Sequence, residues 1–124
     1  MFITRKGGLR FVPRTTVAAF DFQLGDFTQD GAWHSKSWSS IVPKTAKLVT
    51  LKMIYTAPAV GRAFLLRTPG VTYDYNSYGA IALAAGAQFE LNFIMPVTNS
   101  QTFEYYLSAA GSTVAILIVQ GWFV

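Results

Sequence analysis

The chain has 124 residues, of which 52% are hydrophobic and 13% charged, with a formal net charge of +4. That length suits one domain with a core of its own, and the charged fraction is about half the ~25% of ordinary soluble domains. The absence of cysteine excludes disulfides, thiolate metal sites and cysteine nucleophiles, and a surface so poor in charge points to self-association.

All the net charge lies in the first 14 residues, where Arg5, Lys6, Arg10 and Arg14 face no acid, while the six bases and six acids of the rest cancel. The segment MFITRKGGLRFVPR could be a phosphate-binding tail, a tail without a role, or an extended tether. Five large apolar residues, Phe2, Ile3, Leu9, Phe11 and Val12, are interleaved with its bases. A plain phosphate-binding tail does not need them, so the pattern favours a tether over a nucleic-acid contact. Gly7, Gly8 and Arg10 interrupt the apolar run that a signal peptide requires. We expect residues 1–15 to form an extended basic arm and residues 16–124 a single domain.

Val17 to Phe22 is the first strand candidate. Asp26 to Ser40 shows no steady period, and Asp30 to Lys36 reads as loop. From Lys47 to Thr56, Val49, Leu51, Met53 and Tyr55 alternate with Leu48, Thr50, Lys52 and Ile54, the period of a strand. Pro58 and Gly61 break that run, and Arg62 to Thr68 repeats the pattern with Phe64 and Leu66 opposite Arg67, so the two runs are expected to form a hairpin. VTYDY and GAIALAA, between Val71 and Ala85, give two short candidates. Ala80 to Ala85 has helix propensity, but Gly79 and Gly86 bracket a stretch too short for a stable helix.

Ala87 to Met95 sets Phe89, Leu91 and Phe93 against Glu90 and Asn92, and Pro96 ends it. Thr102 to Leu107 keeps Phe103, Tyr105 and Leu107 in phase. Thr113 to Val124 is apolar on both faces until Gln120, which predicts an inner strand covered by the opposing sheet on one side and a neighbouring subunit on the other. Its most apolar part, Val114 to Val119, is far short of the ~20 residues of a membrane-crossing helix, so no membrane partner is expected. About seven to nine strands at a spacing of roughly 8 to 12 residues predict an all-β fold: an antiparallel β-sandwich, jelly-roll-like, with an extended N-terminal arm.

Catalytic groups are few. His34 is the one histidine, with Ser35 beside it and Asp30 four residues earlier; a Ser-His-Asp set exists on paper, but neighbours on a strand or loop point apart. One histidine and dispersed acids assemble no zinc set, and the glycines match no phosphate-binding or dinucleotide fingerprint. Glu90 and Glu104, on strands expected to be adjacent, could pair as a glycosidase dyad, although each also reads as a marker of a solvent face. We expect no enzyme, no cofactor and no metal. Trp38 reads as core beside Ile41 and Val42. Trp33, together with Tyr73, Tyr75 and Tyr78 of YDYNSYG, forms a candidate recognition surface for a receptor or glycan, the alternative being that the tyrosines cover a sheet edge.

The stretch WSSIVPKTAKLVTL, Trp38 to Leu51, resembles a pattern of small β-sandwich virion proteins of tailed bacteriophages, and ILIVQGWF, Ile116 to Phe123, is similar to their closing strand. Together they cover about a fifth of the chain. The resemblance implies a capsid decoration or cement protein, a head-fibre domain or a tail-fibre tip, trimeric or dimeric; we favour a homotrimer over a dimer, located on the capsid surface of a virion assembled in the host cytoplasm. In that setting Phe2, Arg5, Lys6, Arg10, Phe11 and Arg14 are expected to hold the major capsid protein. The alternatives are a receptor- or carbohydrate-binding module and, third, a nucleic-acid-binding coat protein.

Overall fold

Period two governs the body of the chain. In the computed structural model, which describes residues 8–16, 20–72, 76–109 and 111–124, Val49, Leu51, Met53 and Tyr55 are fully buried, while Leu48, Thr50, Lys52, Ile54 and Thr56 between them stay half-exposed. The same alternation buries Phe64 and Leu66, then Phe103, Tyr105 and Leu107, then Ala115, Leu117 and Val119. Each run is a strand because a pleated backbone sends successive side chains to opposite faces, and only one face has a core to meet.

Among the described residues eight strands result: β1 (Phe11–Pro13), β2 (Trp33–Ser37), β3 (Leu48–Thr56), β4 (Ala63–Arg67), β5 (Tyr78–Ile81), β6 (Gln88–Pro96), β7 (Thr102–Leu107) and β8 (Val114–Phe123). They form two four-stranded sheets, β1-β8-β3-β6 and β2-β7-β4-β5, with antiparallel pairing throughout. The order follows from one long hairpin wrapped on itself. Its tip is β4 with β5, and its arms then pair β3 with β6, β2 with β7 and β1 with β8, alternating between the sheets. This is the connectivity of a jelly roll, so the fold class is as the sequence predicts. Among the described residues no helix is long and apolar enough to cross a membrane.

Between the sheets lies one aromatic-rich core. Trp38 is fully buried, its ring centroid 4.7 Å from that of Phe103, and its carbonyl accepts the backbone N–H groups of Ile41 and Val42. Phe27 packs edge-on against Phe64 and Tyr105, with centroids 5.0 and 4.9 Å away. The short turn that carries Phe27 there, Leu24–Asp26, is fixed from both ends: the Gln23 N–H donates to Asp26 Oδ2 at 2.9 Å and the Asp26 N–H donates to the Gln23 carbonyl at 2.8 Å.

Four sequence expectations need correction. The runs at β3 and β4 are not a hairpin: they lie in different sheets, and the connection through Pro58 and Gly61 carries the chain across the sandwich. Asp30 to Lys36 is not all loop, because Trp33–Ser37 is β2. Its inward residues are His34 and Lys36, which stack on Tyr105 and donate to the Asp26 carbonyl, so an edge strand is hidden behind polar letters. The first strand is Phe11–Pro13. Of the expected strand at 17–22, residues 17–19 lie outside the described residues, and Phe22 makes only an isolated bridge to Leu117. Finally, β6 and β7 are in opposite sheets, not adjacent.

Gly79 shows how tightly β5 is laid against β4. At φ +148° its backbone is in a region that favours glycine, and a Cβ there would sit 2.1 Å from the Phe64 carbonyl oxygen. Gly79→Ala is expected to cost about 2–3 kcal/mol, whereas Gly25→Ala, with nothing within 4 Å, should stay within about 0.5 kcal/mol. Urea unfolding of the two variants checks the contrast; equal midpoints would contradict it.

Candidate functional site

The arm meets the body earlier than its composition predicts. Phe11, Val12 and Pro13 pair with Phe123, Trp122 and Gly121 of β8, and Arg10 exchanges backbone hydrogen bonds with Val124 at 3.0 and 2.9 Å. The Phe11 ring lies over Gly121, where a Cβ would come within 2.6 Å of it, and packs on Phe123 at 5.2 Å. Of the expected tether, Arg10, Phe11 and Arg14 are therefore in or beside an edge strand of this chain's own sheet, while Phe2, Arg5 and Lys6 lie outside the described residues.

Arg14 is committed to structure. Its guanidinium donates to Asp21 Oδ2 at 2.5 Å and to the Val119 carbonyl at 3.2 Å, and the same carboxylate oxygen accepts the Val119 N–H at 2.7 Å. The Asp21 side chain is 3% exposed. These contacts sit beside a β-bulge: Thr50 pairs with Gly121 but Leu51 with Val119, which leaves Gln120 as an extra residue whose carbonyl accepts the Arg14 N–H. An ion pair thus satisfies backbone groups that β1, ending at Pro13, does not reach.

Among the described residues, nothing covers the outer face of the sheet holding β3. Its rows run Phe11, Phe123, Leu48, Pro96; then Ile118, Lys52, Asn92; then Ile116, Ile54, Glu90. Ile94 and Phe11 are 49% and 44% exposed. The face is apolar apart from its threonines, Gln88, Asn92 and the Lys52–Glu90 ion pair at 3.0 Å, in which the Lys52 ammonium, with help from Gln88, holds the Glu90 carboxyl below its usual range.

The opposite outer face is more polar. Arg67 lies 4.0 Å from the Trp33 ring centroid and its Nε donates to Glu104 at 2.6 Å, while Tyr106 packs on Trp33 at 5.6 Å. Trp33 is therefore held between a cation and a ring, not offered as an open platform. Glu104 and Glu90 project from opposite outer faces of the sandwich, so they make no dyad. His34 Nε2 and both Asp30 oxygens are 2.9 Å apart, but Ser35 occupies the next position of the same strand and points to the other face; two members of the paper triad meet and the nucleophile does not. Among the described residues no group of three metal-binding side chains converges.

Trp33 and Tyr78 are not one surface. They lie on β2 and β5, the two edges of their sheet, about 14 Å apart by strand spacing. Tyr78 faces inward and stacks on Phe93 at 5.6 Å and 10°; Tyr73 and Tyr75 lie outside the described residues. With Thr68, Val71, Asn76, Ser77 and Pro96, Tyr78 lines a cavity of about 390 Å³ at the edge of the sandwich. The Arg14–Asp21 clasp had one sequence signal, an acid inside the apolar run AAFDF; the cavity had none beyond the tyrosines. No protein-family model matches the chain, and neither does any curated protein.

Two outcomes follow from this geometry. Arg14→Ala leaves a buried carboxylate without its cation and should cost about 3 kcal/mol in urea unfolding, the low end for a broken buried pair because Arg14 retains some solvent access. Asp21→Asn, which still accepts the Val119 N–H, should cost less, and the reverse order would contradict the clasp. At the Asp30 pair, the His34 hydrogen bond, aided by the Ala32 N–H, holds the Asp30 carboxyl below its usual range. A depressed carboxyl stabilises the fold above its unfolded value, and that contribution disappears as pH falls through the folded value. In His34→Ala the Asp30 carbon-13 titration should move upward; an unchanged midpoint would show that another group sets it.

Proposed function

We propose that the chain is a structural, non-enzymatic protein of a bacteriophage particle, a capsid decoration protein that self-associates through the outer face of β8, β3 and β6 and tethers to capsid subunits through the residues ahead of β1. The observation that carries this reading is the isoleucine-rich outer face, continuous with Phe11 at the root of the basic segment. Strands of this length and spacing give a face on the order of 600 Å², near the ~800 Å² per partner of a standard interface. Its occupant is taken to be a second copy because the face carries its own complement: Lys52 and Glu90, on adjacent strands, can exchange partners between copies as readily as within one.

The tether is shorter than the sequence suggests. With Arg10 to Arg14 laid on β8, residues 1–9 remain to reach outward, roughly 30 Å if extended. That still bridges neighbouring subunits, and many weak contacts repeated over a lattice add by avidity. The commitment of Arg14 to Asp21 removes one of the arm's four bases from any phosphate contact, which favours a protein surface over nucleic acid.

Native mass measurement is expected to give a homotrimer, in line with the resemblance, and Ile118→Asp should give folded monomers because its side chain is outside the core. A monomeric wild-type chain at high concentration would overturn self-association. Deleting residues 1–9 should leave fold and oligomer intact while abolishing capsid decoration; unchanged capsid affinity would end the tether reading.

A further inference from the structure

We propose that the cavity at Tyr78 binds a neutral saccharide. Its volume of about 390 Å³ lies at the lower end of the range for small-molecule pockets, enough for a pyranose ring and part of a neighbour. Three apolar walls, Val71, Tyr78 and Pro96, meet a rim of Thr68, Asn76 and Ser77. Tyr78 is pre-set: near-parallel stacking on Phe93 at 10° occupies one ring face and fixes the plane, so no ordering of that side chain is needed on binding.

The lining decides the ligand class. Apart from the Tyr78 phenol, none of the described lining residues is ionisable, so an anion such as a phosphate finds no countercharge there. Neither the Thr68 hydroxyl nor the Asn76 carboxamide hydrogen-bonds another described residue, and a purely apolar ligand that desolvated them would leave them unmatched. A carboxamide offers two donors and an acceptor, and a hydroxyl offers one donor with acceptor capacity. That set matches adjacent hydroxyls on a ring whose C–H face lies on Tyr78 and Pro96. A neutral sugar has both parts; an anion or a hydrocarbon has one or neither. The site rests on this geometry alone and stands or falls independently of self-association.

The test is an amide NMR titration of the full chain with the methyl glycosides of glucose, galactose, mannose and N-acetylglucosamine, and with inorganic phosphate. At least one glycoside should give saturable shifts at residues 68–72 and 76–78, phosphate should give none there, and Asn76→Ala, an exposed position with an unchanged melting temperature, should weaken binding about tenfold. Thr68→Val should weaken it as well and serves as the second variant if Asn76→Ala perturbs the loop. Absence of saturable shifts with all four glycosides, phosphate shifting the same amides, or unaltered affinity in both variants would overturn the proposal.

Discussion

β3 is hydrogen-bonded along its whole length, to β6 on one side and β8 on the other, and the phase of that ladder decides which side chains are core. A slip of one residue would send Thr50 and Lys52 inward and Leu51 and Met53 out. The ladder holds its phase until Thr50, where one extra residue, Gln120, enters β8. Were Gln120 paired with Thr50 in a regular ladder, Gly121 would face inward opposite Val49 and Trp122 would face solvent opposite Leu48. With Gln120 bulged out, Trp122 packs against the core and Gly121 faces out, leaving the space that the Phe11 ring fills. The bulge is thus what lets β1 dock, and the docking of β1 is what shortens the arm.

A bulge interrupts pairing, and the groups it frees need partners. Val119 gives its N–H to Asp21 and its carbonyl to Arg14, after which Phe22 resumes pairing with Leu117 in place of β1. The edge of β8 is therefore not orphaned between Gly121, opposite which β1 ends, and Leu117, which Phe22 pairs. A charge that composition assigns to a free tail belongs here to the core's margin, because backbone satisfaction outranks solvation for a residue placed beside an interrupted ladder.

The strands that could be read from sequence are those with a covered face and an exposed one: β3, β6 and β7 declare themselves by Met53, Phe93 and Tyr105 in phase with polar neighbours. β8 could be read as an inner strand, and its outward Ile116 and Ile118 are the residues that made a second cover seem required. β2 was illegible because its inner face uses His34 and Lys36, whose burial is stabilised by a ring and a carbonyl instead of by apolar contact. β1 was illegible because three residues carry no period. Pairing between strands was the weakest part: adjacency in sequence suggests hairpins, and in a wrapped hairpin most consecutive strands change sheet. The same limit applies to the sites. Trp33 and Tyr78 look alike as exposed aromatics, yet one is closed by Arg67 and the other walls a cavity, a difference set by cross-strand neighbours far away in sequence.

Pro96 belongs to both surfaces on which the functional reading rests. It closes the row Phe11, Phe123, Leu48 on the outer face and is a wall of the Tyr78 cavity. A copy packed across the outer face would meet the cavity only at Pro96, since the other lining residues belong to β5 and to the connection from β4, in the opposite sheet. Small open cavities with few polar contacts bind weakly on their own, because little surface is removed from water per ligand atom. Repetition changes that: sites held at fixed spacing by an oligomer, and again by a lattice, turn weak single contacts into avid ones without any new interaction. Self-association would therefore do more than stiffen a shell, since it would also supply the multiplicity that a neutral, shallow saccharide site needs to be effective.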